Sequence, residues 1–194
     1  MRRWVATLLA TGVVLAACGT EESGDGRNTP STSLLQRDDL PGVDEVFEDE
    51  GSSATKTNCP AMDGEWNVAT TRSEDPYVEY HLEDGTVVRS AIQSPYRGQD
   101  SFDYSMERLS AMVEECVASK PPFGTFERLE GLPQGALGFV ATQDTSDGPQ
   151  TTERVYVPVD EKRAVVLTVV HTGEGAAPVS ATELVPTALE RARG

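Results

Sequence analysis

Two periods of apolar residues alternate along the chain from residue 34 onward. Over residues 77–82, Val78, Tyr80 and Leu82 fall on one side and Tyr77, Glu79 and His81 on the other, the repeat of two that marks a half-buried strand. Asp84-Gly85 supplies turn chemistry, and residues 86–93 read as the second strand of a hairpin. Phe102, Met106, Leu109, Val113, Cys116 and Val117 then recur at steps near three and four. That spacing predicts an amphipathic helix to about Ser119, capped by Asp100 or Ser101, with Asp103 favourable in its first turn.

After Pro121-Pro122 the pattern returns to strands, expected at 125–130, 135–142, 153–159 and 163–172, with Asp147-Gly148-Pro149 in a turn. Residues 164–170 are apolar on both sides, as in a strand covered on two faces. Pro158 marks an edge, a bulge or a strand end. Ser180 caps a last helix in which Ala181, Leu184, Val185, Ala188, Leu189 and Ala192 share a face, with Pro186 expected to kink it or delay its start. Residues 34–42 read as one short helix stopped by Pro41 and Gly42, residues 43–50 as a solvated acidic segment, and residues 51–58 as a loop. The expected fold is α+β over 34–194, an antiparallel β-sheet with packed helices.

The N-terminus has a different character. Arg2 and Arg3 precede an uncharged, largely apolar stretch, residues 4–17, which is too short to span a bilayer and has the proportions of a secretory signal. It ends Leu15-Ala16-Ala17-Cys18-Gly19. This looks like a bacterial lipobox, in which the Cys18 thiol receives a diacylglycerol and residues 1–17 are removed; acyl chains then anchor the protein. A cleaved signal followed by an unmodified cysteine is the alternative. Residues 18–33 contain no large apolar side chain and read as a disordered tether. The domain is thus expected on the outer face of the cell membrane, lipid-anchored.

Cysteine count fits that location. Besides Cys18, the chain holds Cys59 and Cys116, an even pair in an oxidising compartment, and Cys116 lies on the inward stripe of its helix. One disulfide is expected, with two free thiols as the alternative.

Net charge narrows the partners. The chain carries 16 basic and 32 acidic residues, a formal charge of −16, and loss of Arg2 and Arg3 leaves −18. Nucleic acid is excluded as a partner, because phosphate-backbone affinity comes from Lys and Arg.

The order of parts resembles a known group. A lipobox and polar tether are followed by Leu34-Leu35, Asp39-Leu40-Pro41-Gly42, Cys59, a hairpin, and a helix that ends in Cys116. The chain then runs through Gly131-Leu132-Pro133, Gly138-Phe139, an apolar strand ending in His171, and a helix with Ala188-Leu189. This is similar to actinobacterial lipoproteins related to the extracellular sensor domain of mycobacterial PknH-type kinases. The resemblance implies a central antiparallel sheet and a cleft that binds an extracellular ligand. The kinase sensor carries two disulfides, whereas this domain has cysteines for one. No individual ligand residue is carried over.

Catalytic motifs are absent from the sequence. There is no Gly-x-Ser-x-Gly elbow and no His-Glu-x-x-His motif. His81 and His171 each sit among strand-like residues, and Gly135-Ala136-Leu137-Gly138 lacks the third glycine and the helix of a phosphate loop. The acidic residues 44–50 lack the spacing of a calcium loop, and Asp144 to Asp147 reads as turn chemistry. No metal, cofactor or catalytic residue is assigned. A ligand-binding face is assigned instead, with Tyr77 and His81 on one strand and Arg154 and Tyr156 on another, provided the two faces coincide. The leading expectation is a non-catalytic, sensor-like module for a small ligand. The alternative is an accessory subunit that meets an envelope protein, and a carboxylate hydrolase ranks last.

Overall fold

The computed structural model describes residues 31–49, 57, 59–66, 75–95, 99–119 and 124–194. The expected signal segment 1–17, Cys18, the expected tether up to Pro30 and nearly all of the expected loop 51–58 lie outside the described residues.

Seven strands form one sheet: β1 (Val43–Asp49), β2 (Tyr77–Leu82), β3 (Val87–Gln93), β4 (Gly124–Arg128), β5 (Leu137–Thr145), β6 (Gly148–Pro158) and β7 (Ala164–Thr172). Their order is β1-β2-β3-β7-β6-β5-β4, and every neighbouring pair is antiparallel. The first three strands run in sequence. The chain then passes through helix α1 (Phe102–Ser119) to the far edge and returns inward through β4, β5 and β6 until β7 closes against β3. Helix α2 (Ala181–Arg193) ends the fold.

Side-chain alternation along the strands divides the buried apolar residues into two clusters. One contains Val78 and Tyr80 of β2, Val155 of β6 and Leu167 of β7, together with Leu184 and Val185 of α2 and the N-terminal Leu34 and Leu35. The other contains Phe126, Phe139 and Tyr156 of the sheet with Leu109, Val113 and Cys116 of α1. Cys59 and Cys116 are joined at a Cα–Cα distance of 5.7 Å and fasten the segment around Met62 to α1. Thr57 is held beside them by two hydrogen bonds to Asp63 Oδ1, from its N–H at 2.6 Å and from its hydroxyl at 2.8 Å. The antiparallel sheet, the mixed α+β class and the Cys59–Cys116 pair agree with the reading from sequence.

The N-terminal segment departs from it. A single 3-10 turn at Arg37–Asp39 replaces the expected helix. Leu34 and Leu35 are buried, and their backbone is already committed: Tyr80 Oη donates to Leu35 O at 2.6 Å and Leu35 N donates to Ser90 Oγ at 3.2 Å. Those long-range bonds compete with a helical ladder. The described chain also begins inside the expected tether, with a turn closed by Leu34 N and Ser31 O at 2.8 Å.

Residues 43–49, read as a solvated acidic segment, form β1. An edge strand tolerates charge on its exposed positions, while Val43 and Val46 pack on the core. Strand β6 begins at Gly148, five residues before the sequence suggested, so Pro149 stands in a strand and pairs with Asp144.

Helix α2 runs through Pro186 from the Ser180 cap. Ser180 Oγ accepts from Glu183 N at 3.1 Å, and Glu183 Oε2 accepts from Ser180 N at 3.0 Å. Pro186 is on the exposed side of the helix, where water can satisfy the carbonyl one turn earlier. At the other end Arg191 grips Asp39 with two bonds, 2.9 and 3.2 Å. Burial pushes the Asp39 carboxyl up, but the Arg191 guanidinium and the Gln36 backbone N–H outweigh it and hold the group below the usual range.

Candidate functional site

Strand register decides whether the residues singled out from sequence can act together. Cα partners run Glu79–Arg89–Thr168–Arg154 across β2, β3, β7 and β6, and Tyr77–Ala91–Val166–Tyr156 in the next row. Tyr77, His81, Arg154 and Tyr156 therefore do share one face, although β2 and β6 are three strand spacings apart, about 14 Å.

Burial separates them. Tyr156 is 1% exposed and belongs to the apolar cluster with Leu137, Phe139 and the residues of α1. A ring in that position fills core, which corrects its assignment to a ligand surface: alternation finds the face of a central strand but not what covers it. Arg154 is 7% exposed, and its Nε donates to Thr168 Oγ1 at 3.0 Å. Tyr77 is also buried. His81 is the most accessible of the four.

Glu79 organises this part of the sheet. Its Oε2 accepts from Tyr77 Oη at 2.6 Å and from Arg89 Nε, and its Oε1 lies 2.6 Å from His81 Nε2. Burial alone would raise the Glu79 carboxyl, but the bonds from Tyr77, His81 and Arg89 and the Arg89 charge bring it down to about 2. An ionised carboxylate only accepts, so the His81 nitrogen that faces it carries the proton, and in the neutral ring Nδ1 is the acceptor. The Phe47 ring from β1 leans on the imidazole at 4.7 Å and 55°. Tyr77 and His81 are i and i+4 on a strand with Glu79 between them, so one alternating tripeptide face builds the constellation.

Arg89 and Phe47 escaped the sequence reading. Arg89 had only a partial signal: a two-residue Asp84-Gly85 turn would set Glu79 opposite Ser90, whereas the observed register centres on Asp84 and pairs Glu79 with Arg89. Phe47 had none, because its strand was not recognised.

Chemically this group recognises more readily than it reacts. At neutral pH a carboxylate with a value near 2 is a weak base, and three donors already bond to it. What it offers is an oriented imidazole beside an aromatic ring on a rigid sheet.

The second histidine lies elsewhere. His171 alternates with Val169 and Leu167 onto the opposite face of β7. There Thr86 Oγ1 donates to Asp84 Oδ2 at 2.9 Å and meets His171 Nδ1 at 2.9 Å. The two imidazoles cannot serve one site. Among the described residues, no group of three or more His, Cys, Asp and Glu is placed to hold a metal ion.

The short glycine sequence near residue 138 has a packing explanation. A Cβ on Gly138 would come within 2.9 Å of Arg154 O, so only glycine lets β5 approach β6 there.

No family model and no curated protein matches the chain.

Proposed function

We propose that the protein is a lipid-anchored extracytoplasmic binding module without catalysis, tethered through Cys18 to the outer face of the cell membrane. In this reading the two helices pack on opposite faces of the sheet, and the module holds a small ligand as the sensor-type lipoproteins it resembles are expected to. The observation that carries the reading is the Glu79-centred constellation: Tyr77, His81 and Arg89 fixed on one carboxylate, with the Phe47 ring against the imidazole. Sites that bind combine rigid aromatic surface with a few oriented polar groups.

Native mass spectrometry of the full-length protein, extracted from its own envelope in mild detergent, tests it. A bound mass that leaves on denaturation, and that a His81→Ala or Phe47→Ala variant fails to retain, is the expected result. A bare protein, or a mass retained equally by both variants, would refute binding at this face.

A second reading is favoured by a separate observation. Phe47 stands 47% exposed on an acidic outer strand, which suits an accessory subunit that meets an envelope protein.

A further inference from the structure

Strand β1 is the rim of the sheet beyond β2. Its sequence, Val-Asp-Glu-Val-Phe-Glu-Asp, holds four carboxylic acids and no Lys or Arg. The outer row of backbone N–H and C=O on an edge strand is a template for a further strand. Among the described residues one side chain meets the backbone of β1: Arg37 Nη2 donates to Val43 O, at its first residue. The register shift between Val43 and Glu45 bends the start of the strand. From Glu45 to Asp49 the pairing with β2 is regular, and among the described residues no strand lies beyond this stretch of roughly 17 Å.

Side chains along that stretch set the chemistry of what it can take. Among the described residues no cation pairs with Asp44 or Glu45, both exposed. Phe47 is the most exposed large apolar side chain among the described residues and shares a face with Glu45. His81 supports its ring from behind at 4.7 Å. A second copy of β1 is a poor occupant, because antiparallel pairing would set acidic residues against acidic residues in a chain of net charge −16. The same arrangement suits a cationic strand. Backbone bonds would hold it, while an Arg or Lys at an alternate position reaches both the Glu45 carboxylate and the Phe47 ring.

We infer that β1 is a docking edge for an extended, Lys- or Arg-bearing segment of a partner protein, which adds to the sheet as an eighth strand. The inference rests on the accessory-subunit reading and shares the Phe47 ring with the proposed small-ligand face.

The test uses the full-length lipoprotein in detergent with three peptides of equal length. One alternates Lys with Thr and Val, the second replaces Lys by Glu, and the third sets the same number of Lys among Gly. Fluorescence anisotropy reads affinity and amide hydrogen exchange reads the backbone of residues 43–49. The alternating Lys peptide should bind, weaken with added salt, and slow exchange along β1. Glu45→Lys should weaken it about tenfold and Phe47→Ser about fivefold, with melting temperatures unchanged because both positions are exposed. Equal binding of the Gly-spaced peptide, absent protection of β1, or indifference to Phe47→Ser would overturn strand addition.

A photo-crosslinking residue at position 47, used in intact envelopes, separates the two claims. Adducts that map to an extended basic segment support the inference. Adducts to a folded or acidic surface overturn it while leaving the accessory-subunit reading intact, and no adduct overturns both.

Discussion

Glu79 accepts from three side chains, two on one oxygen and one on the other, and its ionised form therefore contributes to stability. Its folded value of about 2 lies below the ordinary 4.5, so the folded state releases its proton at lower pH than the unfolded chain. The contribution is complete above about pH 4.5 and falls away as pH drops toward 2. Allowing for partial solvent screening, it is about 2 to 3 kcal/mol. Glu79→Gln should lower stability at pH 7 by that amount and flatten the dependence of stability on pH between those limits. Urea unfolding at a series of pH values measures both, and an unchanged slope would show that the three donors do not depend on the charge. Alternation over Tyr77–Leu82 made this face readable from sequence. It did not distinguish the partly exposed His81 from the buried Tyr156, since the apolar cluster that Tyr156 shares with residues of α1 is a long-range fact.

Elements with local determinants were legible. The β2–β3 hairpin follows from alternation about Asp84-Gly85, α1 from its apolar stripe, and α2 from the Ser180 cap. Those fixed by distant contacts were not. Strand β1 looks like a charged segment and becomes a strand because β2 offers it an edge, and residues 34–42 lose their helix to Tyr80 and Ser90. Helix α2 holds an internal tension of its own, because Pro186 lacks the N–H for a bond one turn back. Pro186→Ala restores that donor on an exposed face and should stabilise the protein by about 1 kcal/mol or more. Thermal melting reads this directly; a loss of stability would mean that Pro186 makes a contact only its ring can make.

Across the whole molecule, the strand order β1-β2-β3-β7-β6-β5-β4 depends on the pairing of β3 with β7, which are separated in sequence by α1 and three strands. No local pattern encodes that closure. The Cys59–Cys116 pair was legible because an even pair of cysteines beyond an expected secretory signal has few other uses. It spans 57 residues of sequence, and its removal by Cys59→Ser with Cys116→Ser should cost about 4 kcal/mol in the chain-entropy account. Denaturant unfolding of the double variant checks it, and a loss below about 1 kcal/mol would mean that the unfolded chain is already compact around this loop. The proposed anchoring through Cys18 belongs to the same scale. Cys18→Ala should move the protein from the membrane to the soluble fraction, and persistence in the membrane would contradict lipid attachment.

The central claim, that the Glu79-centred face of β2 and β3 is where this protein binds, is tested most directly by hydrogen exchange on protein extracted from its own envelope. The exchange is followed before and after any bound mass is stripped. Stripping should accelerate exchange in Tyr77–Leu82 and Val87–Gln93 and leave α2 unchanged. Acceleration confined to other elements, or none in a protein that had released a ligand, would contradict it.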